Sequence, residues 1–215
     1  MKQIVKFSLI VVLIMVAHHQ TQAQELQTRA KEKVLQLIDY IEHIVKNTES
    51  PSSRQNYIRA ALNLFIGNGG PYYSFEVGDT LEGVIMETKI IRDKNQPPRI
   101  RLMKKYFADL SVLDKWLYTE VIIKGTLVNR ESLDDPLELK ISPMKAIRKD
   151  TLYQCTISFG QFFDAKQGED YVYRDFTKKN ISVFFSLVPI NTTSKLIPFL
   201  GDVYVADVMP RENNE

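Results

Sequence analysis

The stretch LQTRAKEKVLQLIDYIEHIV, residues 26–45, decides how the rest of this chain is read. Leu26, Ala30, Val34, Leu37, Ile38, Ile41 and Val45 recur at steps of three and four, which makes one apolar stripe on a helix of about six turns. Arg29, Lys31, Glu32, Lys33, Asp39 and Glu42 occupy the other face. A helix of that kind must bury its stripe against another layer, which the remaining chain has to supply.

A second helix comes next. Ser50-Pro-Ser52 breaks the first pattern, Ser52 or Ser53 is the expected cap with Gln55 completing a capping box, and Tyr57, Ile58, Ala61, Leu62, Leu64 and Phe65 supply an apolar face. Gly67-Asn-Gly-Gly-Pro71 ends it. Beyond this point alternation takes over. Strands are expected at Tyr73–Val77, Gly83–Ile91, Val121–Leu127, Leu137–Ile141, Tyr153–Phe163, Tyr171–Tyr173, Ile181–Leu187 and Gly201–Val205. Gly160 marks a bulge or bend, and residues 164–170 a hairpin connection. A third helix is expected over Arg99–Leu113 with Leu102, Tyr106, Leu110 and Leu113 in register; Ile100 and Arg101 also fit a strand. Helices first and antiparallel strands afterwards, without a strand-helix-strand rhythm, predict an α+β fold rather than a doubly wound parallel sheet.

Upstream of the first helix, Lys2 and Lys6 precede an unbroken apolar run, Phe7–Ala17, and Thr21-x-Ala23 places small residues at a cleavage position. The run is about half of the ~20 residues a bilayer span needs, so residues 1–23 read as a cleaved export signal rather than a stable membrane anchor. The expected mature part is a single domain, residues 24–215, periplasmic or secreted. Loss of the signal takes two lysines and no acid from a chain with 28 basic and 26 acidic residues, which leaves a formally neutral protein. Neutrality argues against nucleic acid and against charge-driven binding to anionic lipid. The lone Cys155 excludes an intramolecular disulfide and sits on the apolar face of an alternating run, as a small buried hydrophobe does.

Catalytic equipment is scarce. His43 is the only histidine outside the signal, too few for a zinc site or a histidine-dependent triad, and is expected to be a solvated helix residue. Ser142-Pro-Met-Lys145 has the S-x-x-K spacing of serine acyltransferases, but comes after a strand-like stretch and lacks the companion motifs. Gly67-x-Gly-Gly leaves a helix instead of entering one, so it reverses the chain rather than cradling phosphate. The acidic clusters Glu131, Asp134, Asp135, Glu138 and Asp164, Glu169, Asp170, Asp175 read as solvated turns. No catalytic residue, metal or cofactor is assigned. Asp79-Thr-Leu81 and Asp150-Thr-Leu152 resemble acceptor tripeptides for O-glycosylation in the Bacteroidetes envelope.

Aromatic residues are the more suggestive signal. Phe162-Phe163 and Phe184-Phe185 send side chains to opposite faces of a sheet. If one face lines a concavity, Tyr73, Phe159, Phe163, Tyr173 and Phe185 are the candidate ligand-binding residues, for a small apolar ligand or a protein partner. The same apolar surface also fits the seam of a homodimer.

Several fragments resemble a known family: Ser53-Arg54 through Ala60-Ala-Leu-Asn-Leu-Phe-Ile-Gly-Asn-Gly69, Lys104-Lys-Tyr-Phe-x-x-Leu110, Phe159-Gly-Gln-Phe-Phe163, Tyr173-x-Asp-x-Thr-Lys178 and Gly201-Asp-Val-Tyr-Val205. They are similar to small exported Bacteroidetes proteins with a cone-shaped NTF2-like or cystatin-like fold. That resemblance implies helices packed in the concave face of a curved, mainly antiparallel sheet. Enzymes of the wider superfamily use Asp and His inside the cone, and no strand-borne histidine matches them here. The function expected is a non-catalytic binding or interaction module of the bacterial envelope. The alternatives are a small-molecule enzyme, a lipophilic-ligand carrier, or an accessory subunit of an envelope assembly.

Overall fold

A computed structural model describes residues 2–88, 97–116, 118–126, 140–148, 152–190 and 193–210. Helix α1 (Lys2–Val45) contains the amphipathic stretch 26–45. All seven stripe residues are buried, and Ile44, which the spacing did not single out, joins them. Among the described residues no helix is long and apolar enough to cross a membrane.

Helix α2 (Pro51–Leu62) corrects the expected cap. Ser50 is the N-cap, its hydroxyl accepting from the Ser53 amide at 3.1 Å, and Pro51 is the first helical residue. Proline suits that position because its fixed φ is already helical and its missing N–H would have had no partner there. The helix ends at Leu62, so Leu64 and Phe65 are buried from outside it; Phe65 is extended and bridges Leu200. The turn Ile66–Gly69 then reverses the chain through three left-handed residues, Gly67, Asn68 and Gly69.

The strands differ from expectation mostly in their limits. A small hairpin joins β1 (Tyr72–Ser74) to β2 (Asp79–Leu81), so Phe75–Val77 belong to its turn rather than to a strand. After β3 (Ile85–Thr88), β4 (Arg99–Leu102) pairs with it, and helix α3 starts only at Met103 and runs to Leu110. The later start rotates the buried face of α3 to Met103, Phe107 and Leu110 instead of Leu102, Tyr106 and Leu113. A short helix, α4 (Leu113–Trp116), leads to β5 (Glu120–Thr126), and β6 (Lys140–Ile141) and β7 (Lys145–Arg148) come after it. Ser142–Met144 link these last two without helical structure, so Lys145 is not one turn behind Ser142.

Three long strands carry the rest: β8 (Leu152–Gln167), β9 (Asp170–Ile190) and β10 (Thr193–Pro210). β8 continues through the expected connection and turns only at Gly168-Glu169. Gly160 stays in register opposite Lys178; the irregularity falls between Ala165 and Lys166. β10 has two further register shifts, at Leu200/Val203 and Val205/Asp207, which bend and twist the sheet. The order is β4-β3-β10-β9-β8-β5, with β6 and β7 also on β8, and the β10–β3 pair is the one parallel ladder among the described residues of a mainly antiparallel, curved sheet. The fold class is α+β. The Glu131–Glu138 acidic cluster, the strand positions Leu127 and Leu137–Leu139, and the tail 211–215 lie outside the described residues.

The helices lie on one face. α1 packs on β5, β8 and β10, and its stripe joins Val121, Ile123, Cys155, Ile157, Phe159, Ile181, Val183, Phe185 and Leu200 in a continuous apolar core. Contact is close enough that a Cβ on Gly125 would lie 2.8 Å from Ile38 Cγ2. A larger residue there would force the Ile38 side chain to shift.

One charged side chain locks the helices together. Arg54 is 4% exposed. Its guanidinium donates to both carboxylate oxygens of Asp114 (2.8 and 2.5 Å), to the Ser111 carbonyl at 2.8 Å and to the Lys46 carbonyl at 2.9 Å. It therefore ties the end of α1 and the start of α2 to the segment after α3. Arg54→Ala strands a buried carboxylate and frees two carbonyls, and is expected to cost about 3–5 kcal/mol in urea unfolding. Arg54→Lys, with no planar fork, is expected to recover only part of that loss.

Candidate functional site

Strand alternation places Cys155, Ile157 and Phe159 of β8 on the helix-side face, opposite Val183, Ile181 and Lys179 of β9. Continuing along the same face, β8 offers Gln161, Phe163 and Ala165, and β9 offers Thr177, Asp175 and Tyr173. The spacing is unchanged while the residue class switches from apolar to polar. Gln161 (3% exposed), Lys179 (7%) and Asp175 (7%) are nevertheless buried.

Their hydrogen bonds form two groups. Lys179 Nζ donates to Gln161 Oε1 and, at 3.5 Å, to the Tyr106 hydroxyl; the ammonium also lies 5.5 Å from the centre of the Tyr106 ring. Lysine has donors only, so Gln161 must present its oxygen to it. The Gln161 amide nitrogen is left without a partner among the described residues. Nearby on β9, Asp175 accepts from the Tyr173 hydroxyl at 2.8 Å and from Thr177 Oγ1 at 3.2 Å. Burial raises the Asp175 pKa, against the smaller opposing pull of those hydrogen bonds and of the Lys179 charge. Burial and the Asp175 hydrogen bond push the Tyr173 phenol up to about 12, so it is not an activated phenolate.

A cavity of about 260 Å³ opens beside this row, lined by Met86 and Thr88 of β3, Arg99 and Arg101 of β4, and Tyr106. Tyr106 belongs to both features. A second cavity, about 300 Å³, lies between the end of α1 and β5 and includes Glu42, His43 and Lys46. His43 lies on α1 as a half-buried residue, its side chain 31% exposed, rather than a fully solvated one. It stacks on Tyr57 with ring centres 4.4 Å apart and bonds Glu49 at 3.1 Å, bracing α1 against α2.

The five candidate ligand-binding residues are not brought together. Phe159 and Phe185 are wholly buried beneath the helices, where they fill the core and present no surface to a ligand. Tyr73 is 51% exposed on the β1–β2 hairpin, edge-on to Phe75. Only Phe163 and Tyr173 meet, at 5.8 Å, at the rim of the polar row. The second acidic cluster is a solvated turn only in part: Glu169 and Asp170 are exposed at the β8–β9 turn, whereas Asp175 is buried on the helix side and Asp164 on the opposite face with Arg174 at 3.3 Å. Composition concealed Gln161, Lys179 and Thr177, but their even spacing along β8 and β9 was available as a signal. Cys155 is buried, and that burial raises its thiol to about 11, which leaves it un-ionised and unreactive. No group of three or more metal-ligating side chains occurs among the described residues.

Comparison with family models, with curated proteins and with solved structures gives no match to this chain.

The polar row has two measurable consequences. Asp175 stabilises the fold below the ordinary carboxyl range, and that contribution is lost as pH rises through its elevated folded pKa. Asp175→Asn has no such loss, so its urea midpoint is expected to gain on the wild type as pH rises through this window. Lys179→Met combined with Gln161→Leu removes the buried charge together with its amide partner, and is expected to leave thermal stability unchanged or raised, by up to roughly 2 kcal/mol. A large drop in melting temperature would instead make the pair a structural tie.

Proposed function

We propose that the protein is an exported, non-catalytic binding module of the bacterial envelope, periplasmic or secreted after cleavage near Ala23, with a single NTF2-like domain over residues 24–215. The basic start and short apolar run at the N-terminus support export. Two leading helices on one face of a curved, mainly antiparallel sheet support the NTF2-like reading. The ligand seat is the stretch of that face where apolar residues give way to Gln161, Lys179, Thr177 and Asp175.

The observation that carries this reading is the pair Lys179–Gln161. A buried ammonium with no ion pair among the described residues, beside a buried amide donor lacking an acceptor, is an expensive arrangement for a core and a useful one for a site. It also revises the kind of ligand: an apolar body against Phe163 and Tyr173 needs an acceptor-bearing end for these donors. A homodimer seam would draw instead on exposed residues such as Phe75 and Val77.

A second reading, a small-molecule enzyme, has one observation in its favour. Asp175 is a buried carboxyl with raised pKa, held by two hydroxyl donors, as a proton-transferring group would be. Native mass spectrometry of protein purified from its own envelope separates the readings. A bound small molecule that disappears in Gln161→Leu but persists in Asp175→Asn supports binding. A mass that changes on incubation with wild type and not with Asp175→Asn supports the enzyme. Wild-type protein free of any adduct, and unaltered in melting temperature by envelope extract, would overturn both.

A further inference from the structure

The cavity beside Tyr106 has a lining of one sign. Arg99 and Arg101 are two residues apart on β4, and their partners across the β3–β4 ladder are Thr88 and Met86, so all four share the face that Tyr106 covers. No carboxylate lines the cavity among the described residues. Arg101 reaches Asp109 at 3.2 Å, but Asp109 also receives Lys105 at 3.4 Å, and Arg99 makes no ion pair among the described residues. Behind Tyr106 stands the buried Lys179. Because that ammonium only donates, the Tyr106 oxygen accepts from it and the phenol proton is left for another acceptor, as is the Gln161 amide N–H. Arginines on an edge strand also guard against strand addition. A guard, however, needs neither the Thr88 and Tyr106 hydroxyls nor a third cation buried behind them.

We propose that this cavity seats a terminal anionic group, a carboxylate or a phosphate, held by Arg99 and Arg101 with the Thr88 and Tyr106 hydroxyls and backed by Lys179. Paired guanidinium N–H groups match the two oxygens of either group, and the hydroxyls supply the remaining donors. The proposal deepens the binding reading above and rests on it only in placing the ligand on the same face.

The test is a titration of the full-length protein, monitored by NMR of the arginine Nε–H and glutamine side-chain signals, at fixed ionic strength. Inorganic phosphate and benzoate are the anionic probes and benzamide the neutral one. Saturable shifts of Arg99 and Arg101 with phosphate or benzoate, absent with benzamide, are the expected result; phosphate alone or benzoate alone identifies which anion the seat takes. Arg99→Gln with Arg101→Gln is expected to weaken that binding by roughly tenfold or more. Both positions lie on a sheet edge, and an unchanged melting temperature in the double variant establishes that the fold is intact. If that variant does not fold, Arg99→Gln alone, at an exposed position, is read in its place. Linear, non-saturating shifts at the arginines, or equal shifts of the Gln161 side-chain signal in wild type and variant, mean charge screening only and overturn the seat. Benzamide moving Gln161 while both arginines stay silent sinks the anion seat and leaves the binding reading standing. Saturation at the arginines with no small molecule recovered from the envelope does the reverse.

Discussion

The structure depends on the burial of the α1 stripe against the sheet formed by β5, β8, β9 and β10. Each fully buried Val, Leu or Ile in that contact is worth about 1.5–3 kcal/mol, and the stripe presents a row of them to strands too long to be covered by anything shorter. Gly125 lets the helix approach β5, and the register shifts in β10 bend and twist the platform. Along β8 and β9 the helix-side face is apolar from Cys155 to Phe159 and turns polar, though still buried, at Gln161, Lys179, Thr177 and Asp175.

Arg54 solves a different problem. Helices α1 and α3 each leave carbonyls at their C-terminal ends that need partners away from water. A single guanidinium does this for Lys46 and Ser111 while pairing with Asp114. Its net energy is modest because desolvation offsets the attraction, yet its geometry fixes how α1, α2 and the end of α3 meet. That matters for function because α3 carries Tyr106. The angle at which α3 meets the sheet sets how far the Tyr106 hydroxyl stands from Lys179.

Much of the architecture was legible in the residues. A seven-member stripe at helical spacing names its own buried face, and alternation in Tyr153–Phe159 names another; Ile157, Cys155 and Phe159 lie where parity puts them. Boundaries were less legible. Leu102 and Tyr106 fit a helical register with Leu110, but pairing of Arg99–Leu102 with β3 takes those four residues into the sheet, and α3 then turns Phe107 inward. Long-range pairing overrides local periodicity there. The aromatic candidates are scattered for a related reason: parity says that Phe159, Phe163, Tyr173 and Phe185 share a face, but not that Phe159 and Phe185 lie under the helices while Phe163 and Tyr173 stand at the rim.

The polar row was hidden because it keeps the strand rhythm while breaking its chemistry. Gln161, Asp175, Thr177 and Lys179 occupy positions that alternation assigns to the interior, and by residue type alone they look like ordinary surface polars. Sequences usually agree with themselves from local pattern to global fold, and departures concentrate where something other than stability is at stake. Leucine or methionine at position 179 would fill the space beside Phe159 without a desolvated charge. The chain instead places an ammonium there, satisfies it with an amide oxygen and a phenol, and thereby leaves an N–H and an O–H proton unclaimed. A core gains nothing from two such donors, and the binding reading proposed above is what gives them a use.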